Sequence, residues 1–220
     1  MDLFSQVKIL IRKELILEWR SKYALNGVLL YVVSTIFVCY LSFKEIDNNP
    51  TWNALFWIIM LFASVNAIAK SFMQENRGRQ FYYYTIASPQ AVILSKIVYN
   101  SLLMLLLSVI ALGFYTLVFK NSIGDPLFYL ISVLLGSVSF ASVFTMISGI
   151  TSKANNSSAL MAILSFPVII PILMLLIKFS KNAMDGLDRS VSYDEIGVLL
   201  GINLVVIVIS LLLFPYLWRD

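Results

Sequence analysis

The side chains that most often transfer protons or bind transition metals are nearly absent from this sequence. It contains no His, and its single Cys39 lies within an apolar run, where it cannot form a disulfide inside the chain. These observations exclude zinc sites, haem ligation by imidazole, Ser/His/Asp triads and internal disulfides. We therefore expect no catalytic residue, no metal site and no bound cofactor on this chain.

The segment from Lys70 to Lys96 has the pattern that best fits binding of a partner. Phe72 would supply an aromatic anchor for a groove on a soluble protein, Glu75 would meet a basic group or cap a short helix, and Gly78 would permit a close turn. Alternatively, the segment is an interfacial helix that only anchors the loop and binds anionic lipid headgroups. The basic residues available for either role are Lys70, Arg77, Arg79 and Lys96.

The composition of the chain indicates that its solvent is lipid. Of its 220 residues 60% are hydrophobic and 13% are charged, with a mean hydropathy of +0.86. This excess of apolar surface is too large for a soluble domain, and it leaves no room for a large catalytic domain. The net charge of +4 is typical of basic cytoplasmic loops on a membrane protein, so we expect no nucleic-acid partner.

Six apolar segments have the length of membrane-spanning helices, for which about 20 residues are needed. None of them contains Asp, Glu, Lys or Arg, which argues against an ion-coupled transporter. The sequence therefore predicts an all-α polytopic membrane protein, with an N-terminal helix in residues 1–23, a six-helix domain in 24–220 and a loop at 70–96. The segments are Leu25–Phe43, Trp52–Ala69, Ile97–Phe119, Pro126–Ile150, Ala159–Ile177 and Ile196–Leu217.

The first 23 residues have the pattern of an amphipathic helix lying in the membrane interface. Charged residues are scattered through this segment, so it is not a cleavable signal peptide. Glu14 and Glu18 fall on the apolar side, where we expect them to pair with nearby bases or to reach water. The apolar side carries Leu3, Phe4, Val7, Leu10, Ile11, Leu15 and Leu17, and the basic side carries Lys8, Arg12, Lys13 and Arg20.

The distribution of basic residues predicts the orientation of the chain. Eleven of the 16 Lys and Arg lie in the N-terminal segment, the Lys70–Lys96 loop, the 151–158 loop and the C-terminal tail. By the positive-inside rule, these segments and both termini are cytoplasmic. The loop before the last span carries four acidic residues, and a short surface helix is possible there.

Polar and small residues within the spans predict how the helices pack. In the fourth span, small residues recur at helical spacing around Gly136, which favours close helix packing over a substrate path. In the fifth span, Pro167 and Pro171 should bend or break the helix. Asn66 and Asn203 should form hydrogen bonds between helices.

The order of these features resembles the permease subunits of type 2 ABC exporters. The shared features are an N-terminal helix ending in Lys-Glu-Leu-Ile-Leu-Glu-Trp-Arg, six spans, and a first loop of the form Phe-x-x-Glu-x-x-Gly followed by Ser-Pro and Lys. The run Leu-Ser-Phe-Pro-Val-Ile-Ile-Pro-Ile-Leu narrows the resemblance to the CcmB family, the haem exporter B subunits of cytochrome c maturation. Tyr82 to Tyr84 depart from the aliphatic residues that this family often has there.

The resemblance implies a permease in the bacterial inner membrane that is not an enzyme itself. ATP would be hydrolysed by a CcmA-like ATPase coupled through Phe72, Glu75, Arg77, Gly78 and Arg79, in keeping with the absence of a Gly-x-x-x-x-Gly-Lys-Ser/Thr motif. A CcmC-like subunit and a CcmE-like haem chaperone would join the complex, which would handle the haem, and a second copy of the chain is possible. Two alternatives remain, an ABC exporter for lipid, glycan or drug and a membrane scaffold that transports nothing.

Overall fold

The computed structural model describes residues 2–21, 23–43, 46, 48–68, 71–72, 87–120, 123–152 and 157–219. Within these ranges the chain forms seven α-helices and one 3₁₀ turn, at Arg189–Ser192, and no β-strand. The helices are α1 (Leu3–Ser21), α2 (Tyr23–Phe43), α3 (Asn49–Ile68), α4 (Pro89–Val118), α5 (Pro126–Thr151), α6 (Ser157–Met184) and α7 (Tyr193–Arg219).

Helices α2 to α7 are each long and apolar enough to cross a bilayer, which confirms the prediction of an all-α protein with six spans. Helices are suited to this environment because they satisfy their backbone hydrogen bonds internally, where lipid offers no partner. The apolar segments are Leu25–Phe43, Asn49–Ile68, Pro89–Val118, Pro126–Thr151, Ala159–Met184 and Arg189–Leu217.

The third spanning helix begins earlier than the sequence analysis placed it. Residues 89–96 were assigned to the loop, but they form the first two turns of α4. Ser88 is the N-cap, and its Oγ accepts a hydrogen bond from the backbone N–H of Ala91 at 3.3 Å. Pro89 follows at the first helical position, where its missing N–H costs nothing. Lys96 therefore lies inside a helix and not in the loop.

Helix α5 is the centre of the bundle and packs against α3, α4, α6 and α7. Its small residues permit this close packing, as predicted. A Cβ atom added at Gly136 would lie 2.5 Å from the Trp57 ring of α3 and 3.1 Å from the Leu176 side chain of α6. The serines and threonines of α5 from Ser132 to Thr151 are buried. The stripe of small residues thus serves helix packing.

The two ends of the bundle can be assigned from contacts between helix termini. At one end α1 lies beside the start of α4, and Phe72 contacts Phe214 near the end of α7 with 5.5 Å between ring centroids. We call this the basic end, after the basic residues that the structure describes in α1, at the start of α4 and at the end of α7, namely Lys8, Arg12, Lys13, Arg20, Lys96 and Arg219. At the opposite end, the backbone N–H of Gly124 donates to the carbonyl of Met184 at 3.0 Å. The predicted short surface helix is present there as the 3₁₀ turn.

Polar side chains within the spans are satisfied by neighbouring helices. Asn203 of α7 donates to Ser139 Oγ at 2.7 Å and accepts from Ser142 Oγ at 2.9 Å, which confirms the predicted interhelical bonding. Asn66 instead donates to the carbonyl of Phe62 in its own helix, so that prediction was wrong. The side chain of Asn66 points away from the bundle, and a helix carbonyl one turn back is its nearest acceptor.

The sequence analysis overlooked a polar network centred on Asn53 of α3. The amide of Asn53 donates to the carbonyl of Ile177 at 3.0 Å, and its oxygen accepts from Tyr129 Oη at 3.1 Å and from Ser180 Oγ at 2.9 Å. Trp57 Nε1 also donates to Ser180 Oγ, at 2.8 Å. This network joins α3, α5 and α6 toward the end opposite the basic end.

The two prolines of α6 do not break the helix. Pro167 and Pro171 lie inside a helix that is continuous from Ser157 to Met184. Of the predicted bend or break, the break is therefore absent and the bend stays a prediction. Both side chains are exposed on the outer face of α6. Proline is tolerated there because the opposite, buried face of α6 keeps its packing against α5. In membrane helices, small local adjustments compensate for the backbone N–H donor that proline lacks.

The close approach of α5 and α3 generates a prediction about Gly136. We expect Gly136→Ala to destabilise the protein by about 1–3 kcal/mol, because the new methyl group would overlap the Trp57 ring. The measurement is the apparent Tm of the detergent-purified protein. Gly113→Ala in α4 is the control, because a Cβ there meets no atom within 4 Å. An equal Tm for the two variants would contradict the close packing.

Candidate functional site at the basic end

Helix α1 lies against the start of α4, with Val7 buried and Leu10 half buried in the contact. Part of the predicted apolar face is therefore turned toward the bundle. Glu14 and Glu18 also lie on the inward face of α1, because polar groups of the bundle form ion pairs or hydrogen bonds with them. The predicted apolar residues that remain exposed are Leu3, Phe4, Leu15 and Leu17. The location of α1 at the membrane interface stays a prediction.

Glu14 joins α1 to α4 through an ion pair. Its Oε1 lies 2.9 Å from Lys13 Nζ and 3.6 Å from Lys96 Nζ. Burial raises the pKa of Glu14, but the positive charges of Lys96 and Lys13 outweigh this effect and hold the pKa below its ordinary value. Glu14 is thus ionised at neutral pH. This confirms the predicted pairing with bases, although Lys96 is distant in the sequence.

Glu18 ties α1 to two other helices. Its Oε1 accepts a hydrogen bond from the backbone N–H of Leu25 at 2.9 Å, which satisfies one of the free donors at the start of α2. Its Oε2 lies 3.4 Å from Tyr99 Oη of α4. The other predicted residue of this segment, Arg20, is exposed in the last turn of α1.

Lys96 is buried at the centre of this end, with 3% of its surface exposed. Its Nζ donates to the carbonyl of Ser71 at 2.6 Å and lies 4.8 Å from the centroid of the Phe72 ring. These contacts combine a strong hydrogen bond with a cation–π interaction. The alternative that Lys96 binds lipid headgroups was wrong, because the ammonium faces into the protein.

Phe72 also lies inside the protein, with 4% of its surface exposed. Its ring belongs to a small apolar cluster with Val92, Ile93 and Ile97 of α4 and Phe214 of α7. The prediction that Phe72 inserts into a groove on a partner was therefore wrong for this structure. Phe72 lies only a few residues after the end of α3, so its ring reaches the gap between α4 and α7. Burial of the apolar ring in this gap is favourable.

Asn100 is a further residue of this site that the sequence analysis overlooked. Its amide donates to Ser71 Oγ at 3.1 Å and to Thr145 Oγ1 of α5 at 2.8 Å. Ser71 is thus held twice, through its carbonyl by Lys96 and through its hydroxyl by Asn100. The signal for Asn100 was available, because a lone amide in an apolar span needs a partner.

The rest of the predicted loop motif lies outside the described residues. This applies to Glu75, Arg77, Gly78 and Arg79, and also to Lys70 and the Tyr82–Tyr84 cluster. The described flank on the far side is Ser88, whose backbone N–H donates to Gln6 Oε1 of α1 at 2.9 Å. Both flanks of the loop are therefore fixed to the bundle.

The opposite end carries two further ion pairs. Lys178 Nζ lies 2.6 Å from Glu195 Oε1, and Arg189 Nε donates to Asp125 Oδ2 at 2.8 Å. The hydrogen bonds from Arg189 and from the backbone N–H of Phe128 hold the pKa of Asp125 below its ordinary value. Among the residues that the structure describes, no group of three or more His, Cys, Asp or Glu side chains could hold a metal ion.

The burial of Phe72 generates a prediction about stability. Phe72→Ala should destabilise the protein by about 3–5 kcal/mol, because it leaves a cavity between α4 and α7. Phe62→Ala, at a position of α3 that is 49% exposed, should change stability little. The apparent Tm in detergent distinguishes the two variants. A similar Tm for both would show that Phe72 is not buried in solution.

Comparison with known sequences identifies the family. Residues 5–217 match the family model described as CcmB protein. The matched range extends from the first turn of α1 to the last turn of α7. A comparison with curated proteins finds no significant match. Because the profile covers nearly all of the 220 residues, the chain belongs to the CcmB family, the membrane permease subunits of haem-exporting ABC transporters in cytochrome c biogenesis, which are not enzymes on their own.

Proposed function

We propose that this permease receives its conformational work from a separate CcmA-like ATPase that contacts the loop between α3 and α4. The observation that carries the proposal is that both described flanks of this loop are held to the bundle. Phe72 is buried between α4 and α7, and Ser88 caps α4 while bonding to Gln6 of α1. A force on a loop with flexible flanks would dissipate, whereas a force on this loop reaches α1 and α4 directly.

These positions suggest different roles for different residues of the loop. Phe72 anchors the loop to the permease, so contact with the ATPase falls to the segment beyond it. Glu75, Arg77, Gly78 and Arg79 lie in that segment. Their charges suit a polar rim, and Gly78 permits a close approach of the partner backbone.

The remaining partners and the location belong to the same proposal. A CcmC-like subunit and a CcmE-like haem chaperone complete the complex, a second copy of the chain pairs with the first, and haem is handled by the complex as its substrate. This chain binds no cofactor, and ATP binds to the ATPase. The permease lies in the bacterial inner membrane with both termini in the cytoplasm, a placement that the concentration of Lys and Arg at the basic end supports.

The orientation can be tested by cysteine labelling. In a Cys39→Ser background, Asn48→Cys and Asp185→Cys should react with an impermeant maleimide added to intact cells, because both positions are exposed at the opposite end. Arg12→Cys and Arg20→Cys, exposed on α1, should react only after permeabilisation. The reverse pattern would place the loop outside and contradict contact with a cytoplasmic ATPase.

The coupling role of the loop can be tested by a charge reversal. Glu75→Lys should weaken association with the ATPase by about 2 kcal/mol and lower ATP hydrolysis by the reconstituted complex, because interface energy is concentrated in few residues. Asp2→Lys reverses an exposed charge at the same end and is the control. Co-purification and ATPase assays measure both effects.

Two results would count against this proposal. Full association and activity of Glu75→Lys, expressed normally, would mean that the loop anchors lipid instead. Intact cytochrome c maturation with a catalytically inactive ATPase would favour a scaffold that needs no energy input.

A further inference from the structure

We propose that Lys96 is a positioning residue that joins the loop, α1 and α4 into one moving unit. The inference rests on the proposed coupling through the loop, and it assigns the step by which motion of the loop reaches the helices.

Burying the charge of Lys96 costs free energy. Of the charged side chains that the structure describes, only Lys96 and Glu195 are buried. A charged group in a membrane protein is expensive to desolvate and is usually retained for function. Val92, Ile93 and Ile97 surround Lys96 along α4, so an apolar side chain would suit the local packing.

Lys96 joins three separate segments of the chain, because its partners come from two segments other than its own helix. The carboxylate of Glu14 belongs to α1, the carbonyl of Ser71 and the ring of Phe72 belong to the loop flank after α3, and Lys96 itself belongs to α4. An ammonium group can serve such a junction because it offers three donors on a flexible stem. No apolar residue could bind all three segments.

The junction at Lys96 continues through α1 into α2. Glu18, one turn after Glu14, accepts from the backbone N–H of Leu25 at the start of α2. A displacement of the loop flank therefore passes through Lys96 to Glu14, along the rigid α1, and through Glu18 to the first span. This route reaches α2 through α1.

The contacts can be separated by substitution. Lys96→Met removes the charge interactions of Lys96, and Lys96→Arg keeps the positive charge. Glu14→Gln removes the ion pair between α1 and Lys96, together with the pair that Glu14 forms with Lys13 inside α1. Lys178→Met is the control at the opposite end, because Lys178 is also paired with a carboxylate, Glu195, although the Lys178 side chain is exposed. Glu14→Gln is the milder change, since its side chain is 17% exposed and Ser71 keeps its bond to Lys96.

The experiment uses the full complex with its ATPase in nanodiscs. Three quantities are measured: the ATPase that co-purifies, the rate of coupled ATP hydrolysis, and the ATP-dependent change in distance between spin labels at Arg12→Cys on α1 and Tyr216→Cys on α7 in the Cys39→Ser background. Both labelled positions are exposed at the basic end. The distance change reports motion, which a purely structural role of Lys96 would leave intact.

We expect Lys96→Met to lower coupled hydrolysis about tenfold, a typical size for coupling between sites, while co-purified ATPase stays within about twofold of the parent. The label distance should no longer respond to ATP. Glu14→Gln should also abolish the distance response, Lys96→Arg should restore it, and Lys178→Met should behave as the parent. If Lys96→Met does not fold, Glu14→Gln decides the question.

The inference is overturned if Glu14→Gln and any folded Lys96→Met keep the parent rate and the parent distance change. It is also overturned if the parent distance does not change with ATP. Different results would contradict the proposed function. These are a parent permease that neither binds the ATPase nor stimulates ATP hydrolysis, or a Glu75→Lys variant with the association and hydrolysis rate of the parent. The two failures are therefore distinguishable.

Discussion

The interior of a lipid bilayer contains no water, so every polar group of a spanning helix must find its partner within the protein. This constraint governs the packing of the bundle. Asn203, Asn53 and Asn100 each bond to side chains or carbonyls of neighbouring helices, and the central helix α5 provides partners for all three. Gly136 lets Trp57 approach, and the Trp57 indole in turn reaches a serine on α6. Polar pairing and close packing thus reinforce each other.

The same constraint distinguishes the two ends. At the basic end, Glu14 and Glu18 of α1 turn inward and meet a lysine, a tyrosine and one backbone N–H donor of the spans. At the opposite end, Lys178 and Arg189 stay exposed while their partners Glu195 and Asp125 are more buried. The inward-facing network links α1, α2, α4 and the loop, and it therefore gives the basic end the connections that transmission of motion requires.

Much of the fold follows from local properties of the sequence. Six uncharged apolar runs predicted the six spans, because length and hydropathy alone decide whether a helix can cross lipid. The small residues of α5 predicted that neighbouring helices pack closely against it. The start of α4 was misplaced, since Ser88 and Pro89 were interpreted as part of a loop motif and not as a helix cap. Charged Lys96 reinforced that error, because a lysine is not expected inside a membrane helix.

The sequence by itself determined the number of spans, the family and the residue types available to the loop, because these depend on composition and order. Only the tertiary structure decided which way those residues face. Phe72 became an internal anchor because α4 and α7 leave a gap beside it. Glu14 became a partner of Lys96 because α1 lies against α4. Contacts between residues so distant in the chain depend on how the helices pack, and no local pattern records that arrangement.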